Sequence, residues 1–454
     1  MLSEWLKRAR LCWGSPSQGW VETLSDSFVL SLGLSECLYV LLVQQEASFR
    51  TFWVLSLLLI LSVLGVQLSK LASPFRLDLH SPYPRMLILV AVVAVLATSF
   101  IDRPDADDET YLRIMALSLD GMDQPIREAF ASFNNYLWSC ELVLIPGAGY
   151  FSGLPLLFIY YLAVPAVLAL VCILFHARLI VALRMGFPLL ALGFLILILL
   201  AWGDTHRTLS NTGLARFFHG KSAIPWVVMP ALWTYWLSFR KTGNFRSLFL
   251  LLLCVPLGLA LSPSGFFVAS LGLGMLILGE IGRGVLSPRY GRWMRWALGS
   301  VLVALILWGL AHLGYLGKAS PGEGFWGWQW IPEPPGRTDF EGLRYNALLL
   351  PQVLGEGFRG RLVYVSLALF PLLLFRHRAG IWLIPYAVVS LLLIINPLTP
   401  EMMATGLYST MGWRWYWVLP IVPSLLFLND RLAGLFSHAQ WRWMPSLLLL
   451  GSYA

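Results

Sequence analysis

Gly186-Phe187-Pro188-Leu189-Leu190-Ala191-Leu192-Gly193-Phe194-Leu195-Ile196-Leu197-Ile198-Leu199-Leu200-Ala201-Trp202 contains no charged residue. A helix needs roughly 17–25 predominantly apolar residues to cross the hydrocarbon core of a bilayer, and this run meets that requirement. Arg178 and Arg184 precede it, and Asp204, His206 and Arg207 follow it. Working outward, comparable runs lie near 26–43, 52–69, 86–101, 153–175, 223–239, 246–262, 265–281, 296–313, 361–376, 380–396, 415–429 and 443–454. The pattern predicts an all-α polytopic transmembrane helix bundle of about thirteen spans, with 1–454 as a single transmembrane domain.

Composition points the same way. Hydrophobic residues make up 58% of the chain and charged residues 12%, with a mean hydropathy of +0.71. A soluble domain carries about 25% charged residues. In water, a chain this apolar would have to bury nearly every side chain, which surface-to-volume scaling forbids. The net charge of +8 does not imply a nucleic-acid partner, because the basic residues sit in short clusters between apolar runs. Cys12, Cys37, Cys140, Cys172 and Cys254 are scattered singly, so neither a disulfide framework nor a zinc site is implied. The basic N-terminus (Lys7, Arg8, Arg10) precedes an apolar run without a small-residue cleavage site, which reads as a retained span.

Basic residues set the expected orientation. With the N-terminus inside, every second loop is basic: Lys70, Arg76 and Arg85; Arg178 and Arg184; Arg240, Lys241 and Arg246; Arg283, Arg289, Arg292 and Arg295; Arg376 and Arg378; Arg431 and Arg442. All of these loops would be cytoplasmic. The opposite loops, near 102–150, 203–222, 314–360 and 397–414, are longer and richer in Trp, Gly, Pro, Asp and Glu. Loops of that length in a bundle are usually functional.

The first of them opens with Asp102-Arg103-Pro104-Asp105-Ala106-Asp107-Asp108-Glu109-Thr110-Tyr111. Crowded acids repel one another unless a proton, a metal or a cation is shared. Pro104 ends the preceding span. Asp107 or Asp108 can cap the next helix, with Glu109 in its first turn. Leu112, Met115, Ala116 and Leu119 follow at the spacing of one helical face, which predicts an amphipathic interfacial helix within the 102–150 loop. The acids read either as a cap with a negative-outside bias or as a general base over a membrane-level cavity. A divalent metal is possible between two carboxylates, but no further ligand at suitable spacing requires it.

Cations stand opposite. Arg207, Arg216 and Lys221 lie in the 203–222 loop, with His219 beside the Gly220-Lys221-Ser222 stretch. The glycine spacing of a P-loop is missing. Lys221 sits where an anionic headgroup or lipid phosphate would lie, and it serves equally well to snorkel toward lipid phosphates. Trp413-Arg414-Trp415-Tyr416-Trp417 places a guanidinium among indoles. That arrangement can grip phosphate or can simply form an aromatic belt. Phe325-Trp326-Gly327-Trp328-Gln329-Trp330 carries the same two readings. Glu36, inside the first apolar run, is expected to face the bundle. Ser262-Pro263-Ser264-Gly265 reads as a tight turn between spans.

Together these features resemble the GT-C superfamily of integral membrane glycosyltransferases. The closer similarity is to a bacterial branch with an Asp-Ala-Asp-Asp-x-x-Tyr signature, matched at Asp105-Ala106-Asp107-Asp108-Glu109-Thr110-Tyr111. That branch also has a Gly-Lys pair before a middle span, as at Gly220-Lys221, and a late Trp-Arg pair, as at Trp413-Arg414. In many superfamily members the acidic loop follows the first span. Here it follows the third, as if two helices had been added in front.

The resemblance implies transfer of a sugar from a polyprenyl-phosphate-linked donor to a glycan, lipid or protein acceptor. The reaction would take place on the periplasmic face of a bacterial inner membrane, among membrane lipids. It also implies a base at Asp107 or Asp108, with Asp105, Glu109 and Tyr111 beside it. The donor phosphate and sugar would be held by Arg216, His219, Lys221, Arg414 and Trp415.

Two other functions fit parts of the pattern. A polymerase or ligase of lipid-linked glycans would use the Arg-bearing late loop at 314–360, where Glu333, Arg337, Asp339, Glu341 and Arg344 lie. A transporter would want charges or broken helices at mid-membrane, and the span interiors are almost free of charge apart from Glu36.

Overall fold

The computed structural model describes residues 19–71, 82–101, 107–130, 137–201, 213–286, 354, 357–375, 380–394, 412–436, 438 and 441–451. The expected span at 296–313, nearly all of the 314–360 loop and Asp105 lie outside the described residues. Among those described, structure is helical throughout. The sole pairing of strand type is an isolated bridge between Ser48 and Pro125.

The first helices are α1 (Gly19–Gln44), α2 (Phe49–Leu71), α3 (Pro82–Phe100), α4 (Asp107–Asp120), α5 (Ile126–Ala129) and α6 (Glu141–Ser152). Next come α7 (Leu156–Ala182), α8 (Pro188–Ala201), α9 (Met229–Thr242), α10 (Phe245–Leu261) and α11 (Pro263–Leu286). The chain closes with α12 (Gly357–Phe375), α13 (Ile384–Ile394), α14 (Ile421–Gly434) and α15 (Met444–Gly451). Gly153 and Gly243 end α6 and α9 in the left-handed region, at φ 71° and 64°, where a Cβ would be strained. Asn244 then starts α10 by accepting the Ser247 N–H at 2.8 Å.

Five helical stretches are long and apolar enough to cross a membrane: Gly19–Gln44, Phe49–Ser69, Pro82–Phe100, Leu156–Ala182 and Pro263–Glu280. Their outward faces carry large apolar side chains, among them Leu58, Leu61, Val66, Leu89 and Leu96, each more than half exposed. Apolar surface of that extent is unstable in water. Lipid tails solvate it at no such cost, and the chain is a helical membrane protein.

Two cores hold the bundle. The larger runs through α1, α3, α7–α11 and the later helices. In it α10 packs against α1 and α11, and α3 packs against α7. The smaller gathers Phe49, Phe52 and Trp53 of α2 against α4, α5 and α6. The Trp53 indole N–H donates to the Val143 carbonyl at 2.7 Å and ties α2 to α6.

The sequence expectation needs one correction here. The face of α4 expected to be apolar was Leu112, Met115, Ala116 and Leu119, yet Ala116 is exposed and Leu112 and Leu119 are only half-buried. The buried face is Asp108, Tyr111, Ile114, Met115 and Ser118, and it packs on α6. Polar residues face inward because they meet partners there, and a reading by hydrophobicity alone turns the helix the wrong way.

Candidate functional site

Asp108 lies in the first turn of α4, which begins at Asp107. Its carboxylate is buried, and its Oδ1 sits 2.6 Å from His219 Nε2. The Tyr160 hydroxyl donates to Oδ1 at 3.4 Å and the Tyr161 hydroxyl to Oδ2 at 3.2 Å. Both tyrosines stand in the π turn Ile159–Ala163 within α7. That i→i+5 widening is a common mark of functional positions in helices.

His219 is buried between rings. Tyr111 meets it edge-on at 5.0 Å and Phe218 at 4.4 Å. The Lys221 ammonium lies over the other ring of this cluster, 5.5 Å from the Tyr111 centroid. Arg216 is buried in the same turn, and its carbonyl accepts the His219 N–H at 2.9 Å.

Behind the turn stands Glu141, the first residue of α6. It is buried and accepts a hydrogen bond from the Gly220 N–H. Burial pushes its carboxyl well above the ordinary carboxylate range, and the Gly220 hydrogen bond opposes that shift. A Cβ at residue 220 would collide with the Glu141 carboxylate and with the Leu261 carbonyl, so only glycine lets the turn pass between α6 and α10. Glu36 of α1 is fully buried, as expected of a bundle-facing residue. Its Oε2 accepts the Cys140 N–H at 3.1 Å and caps the start of α6, a favourable place for an anion.

Arg414, in the 3-10 turn Gly412–Val418, donates to the Ser264 hydroxyl and lies 5.8 Å from the Trp417 ring. The Ser262–Gly265 turn is indeed tight, since α11 begins at Pro263 directly after α10 ends at Leu261. It is also the seat of Arg414, and it follows immediately on the carbonyl that crowds Gly220.

The structure thus gathers Asp108, Tyr111, His219 and Lys221 in one cluster, and Arg414 is held at Ser264, three residues after the Leu261 carbonyl that faces Gly220. Glu109 is exposed and stays outside it. The side chains of Asp107 and Trp415, and all of Asp105, lie outside the described residues. Among the described residues no three His, Cys, Asp or Glu side chains gather as a metal site.

Sequence reasoning missed Tyr160, Tyr161, Glu141 and Ser264. The paired tyrosines within the apolar run near 153–175 were the one available signal, but an ambiguous one, because belt aromatics and hydroxyl donors to a carboxylate look alike until a partner is found. Chemically, the cluster holds a carboxylate with one imidazole and two phenols. A proton can be shared along the 2.6 Å contact between Asp108 and His219, with cations nearby for an anionic group.

Compared with protein-family models, curated proteins and solved structures, the chain matches none.

Proposed function

We propose that this protein is a membrane glycosyltransferase of GT-C type. It moves a sugar from a polyprenyl-phosphate-linked donor to an acceptor hydroxyl at the outer face of a bacterial inner membrane. The reading carries with it about thirteen spans, a cytoplasmic N-terminus and an outward-facing Asp108.

One observation supports it most. Residues of two motifs more than a hundred positions apart meet as a pair, with Asp108 at 2.6 Å from His219, next to Gly220-Lys221. In this reading Asp108 takes the acceptor proton. Tyr160, Tyr161 and His219 orient its carboxylate, and the long Tyr160 contact is the one an acceptor hydroxyl displaces. Negative charge grows on the donor phosphate as the sugar leaves. Lys221 and Arg414, with Arg216 behind them, supply the fixed positive charge that stabilises it.

The test is transfer from a panel of polyprenyl-phosphate sugars by the purified protein and by Asp107→Asn and Asp108→Asn variants. Turnover with one donor is expected, with a loss of at least about a hundredfold in Asp108→Asn. If both variants keep the parent's rate, the base lies elsewhere. If the parent transfers nothing, flux assays and polymerisation of lipid-linked glycans become the next measurements.

A further inference from the structure

At the other end of the bundle a cavity of about 610 Å³ opens between the starts of α1 and α3 and the ends of α7 and α9. Its volume is that of a small-ligand pocket, about 300–1,000 Å³. Four cations line it, Arg178, Arg184, Arg240 and Lys241, against the single lining carboxylate of Glu22. Tyr83 and Trp382 give it aromatic walls.

Two of the cations are committed to the framework. Arg178 pairs with Asp26 at 2.6 Å, and Arg240 pairs with Glu280 at 3.2 Å while lying 4.3 Å from the Trp382 centroid. Arg184 and Lys241 are exposed at the rim, and no carboxylate among the described residues pairs with them. Arg184 is held at φ 50°, a left-handed conformation that costs a non-glycine residue about 1–2 kcal/mol. The wall also holds Thr234, 3% exposed, whose hydroxyl finds no hydrogen-bond partner among the described residues. A buried hydroxyl left unpaired costs about 1–3 kcal/mol, and a ligand oxygen would relieve that cost.

We propose that this basic cavity binds a phosphate-bearing anion, gripped by Arg184 and Lys241 at the rim and accepting a hydrogen bond from Thr234. Arg178 and Arg240 shape the wall, each already braced by its own carboxylate. A phospholipid headgroup and a soluble phosphate ester present the same oxygens to these groups. The site lies across the bundle from Asp108 and does not depend on the function proposed for that end.

The experiment uses the full chain purified in detergent. Binding of inorganic pyrophosphate, of dioctanoyl phosphatidylglycerol and of phosphate-free dioctanoylglycerol is measured by thermal shift and native mass spectrometry. Saturable binding of at least one phosphate probe is expected, but not of dioctanoylglycerol. Arg184→Gln/Lys241→Gln should weaken it at least about tenfold, the scale of one charge-assisted hydrogen bond. Both side chains are exposed, so the double variant keeps its fold. Arg431→Gln/Arg442→Gln removes the same charge from the later helices and should leave the affinity in place.

Pyrophosphate binding alone identifies a site for a soluble phosphate, phosphatidylglycerol binding alone identifies a headgroup, and binding of both identifies a site for the phosphate itself. The proposal is overturned if neither phosphate probe binds or if dioctanoylglycerol binds as well. It is overturned equally if Arg184→Gln/Lys241→Gln changes nothing, or if the control pair loses as much.

Discussion

Asp26 and Asp108 are both buried carboxylates, set at opposite ends of one bundle and held by different chemistry. Asp26 receives Arg178 and Arg246, each at 2.6 Å, and the Tyr235 hydroxyl at 2.8 Å. Asp108 receives His219 at 2.6 Å and the hydroxyls of Tyr160 and Tyr161. Helix α7 serves both ends. From Tyr160 to Arg178 it climbs about 27 Å at about 1.5 Å per residue. That rise is close to the roughly 30 Å of a hydrocarbon core.

A guanidinium never gives up its proton in the working range, so Arg178 and Arg246 remain cations that tie α1, α7 and α10 together through Asp26. An imidazole can act as either donor or acceptor at its ring nitrogens, so the partner of Asp108, unlike a guanidinium, can give or take a proton. In the proposed function the same side chain is a clamp at one end and a reactive group at the other. Its partners decide which.

The comparison breaks most visibly if the two aspartates behave alike. Asp26→Asn leaves Arg178 buried opposite a neutral amide, and breaking a buried pair of this kind costs about 3–5 kcal/mol. Arg246, about half exposed, adds little to that loss. Thermal unfolding in detergent should show a much lower Tm, while the surviving folded protein keeps its turnover. Asp108→Asn should do the reverse, with at least a hundredfold slower transfer, about 2.7 kcal/mol in the barrier, and a Tm near the parent's. Equal stability losses with equal activity losses would erase the distinction between clamp and reactive group.

Much of the fold was legible because lipid imposes simple rules. The apolar runs near 52–69 and 86–101 are helices long enough to span, whereas the run following Pro188 forms a helix of 14 residues, and Arg178, Arg184, Arg240 and Lys241, from two of the basic stretches, line one cavity. The site was legible where residue type and crowding were unusual, as at Asp108, His219 and Lys221. It was not legible where a residue acts through a partner distant in sequence.

Asp26 opens an apolar run and reads as a boundary residue, yet it is buried between two arginines that come much later in the chain. Glu141 reads as one acid among several in an outer loop, and only the approach of Gly220 gives it a role. The span interiors carry more charge than the sequence suggests. Asp26, Glu36 and Arg178 all lie within spanning helices: Arg178 stands near the end of α7, whereas Asp26 and Glu36 are buried about two turns in from the ends of α1.

Intermediate effects sharpen how the acidic end is built. Gly220→Ala puts a methyl group onto the Glu141 carboxylate and the Leu261 carbonyl, an overpacking that costs about 1–3 kcal/mol and shifts His219 away from Asp108. Both Tm and turnover should fall, unlike in either aspartate variant.

Glu141 makes a pH prediction. Its carboxyl titrates higher in the folded protein than in the unfolded chain. Above the unfolded value, near 4.5, the unfolded chain has lost this proton while the native state still holds it. Stability therefore falls as pH rises through that window, by at most about 1.4 kcal/mol per pH unit. Glu141→Gln keeps the hydrogen bond from Gly220 and should flatten this part of the Tm-against-pH curve. An unchanged slope would mean that the carboxyl is ionised in the native state.

The smallest expected effect asks whether Arg414 belongs to the acidic end at all. It donates to the Ser264 hydroxyl, at the head of α11, and lies against the Trp417 ring. Ser264→Ala removes one hydrogen bond and should cost only about 0.5–1 kcal/mol, because the partly exposed guanidinium recovers water. If Arg414 is aimed at the donor phosphate, the loss appears as a raised KM for the donor, because the guanidinium must then be ordered by binding itself. If it only anchors the Gly412–Val418 turn, KM and kcat stay put while Tm drops slightly. Measuring both constants on this conservative variant separates a residue that positions a phosphate grip from one that positions a loop, and it does so without touching the carboxylate at the centre of the cluster.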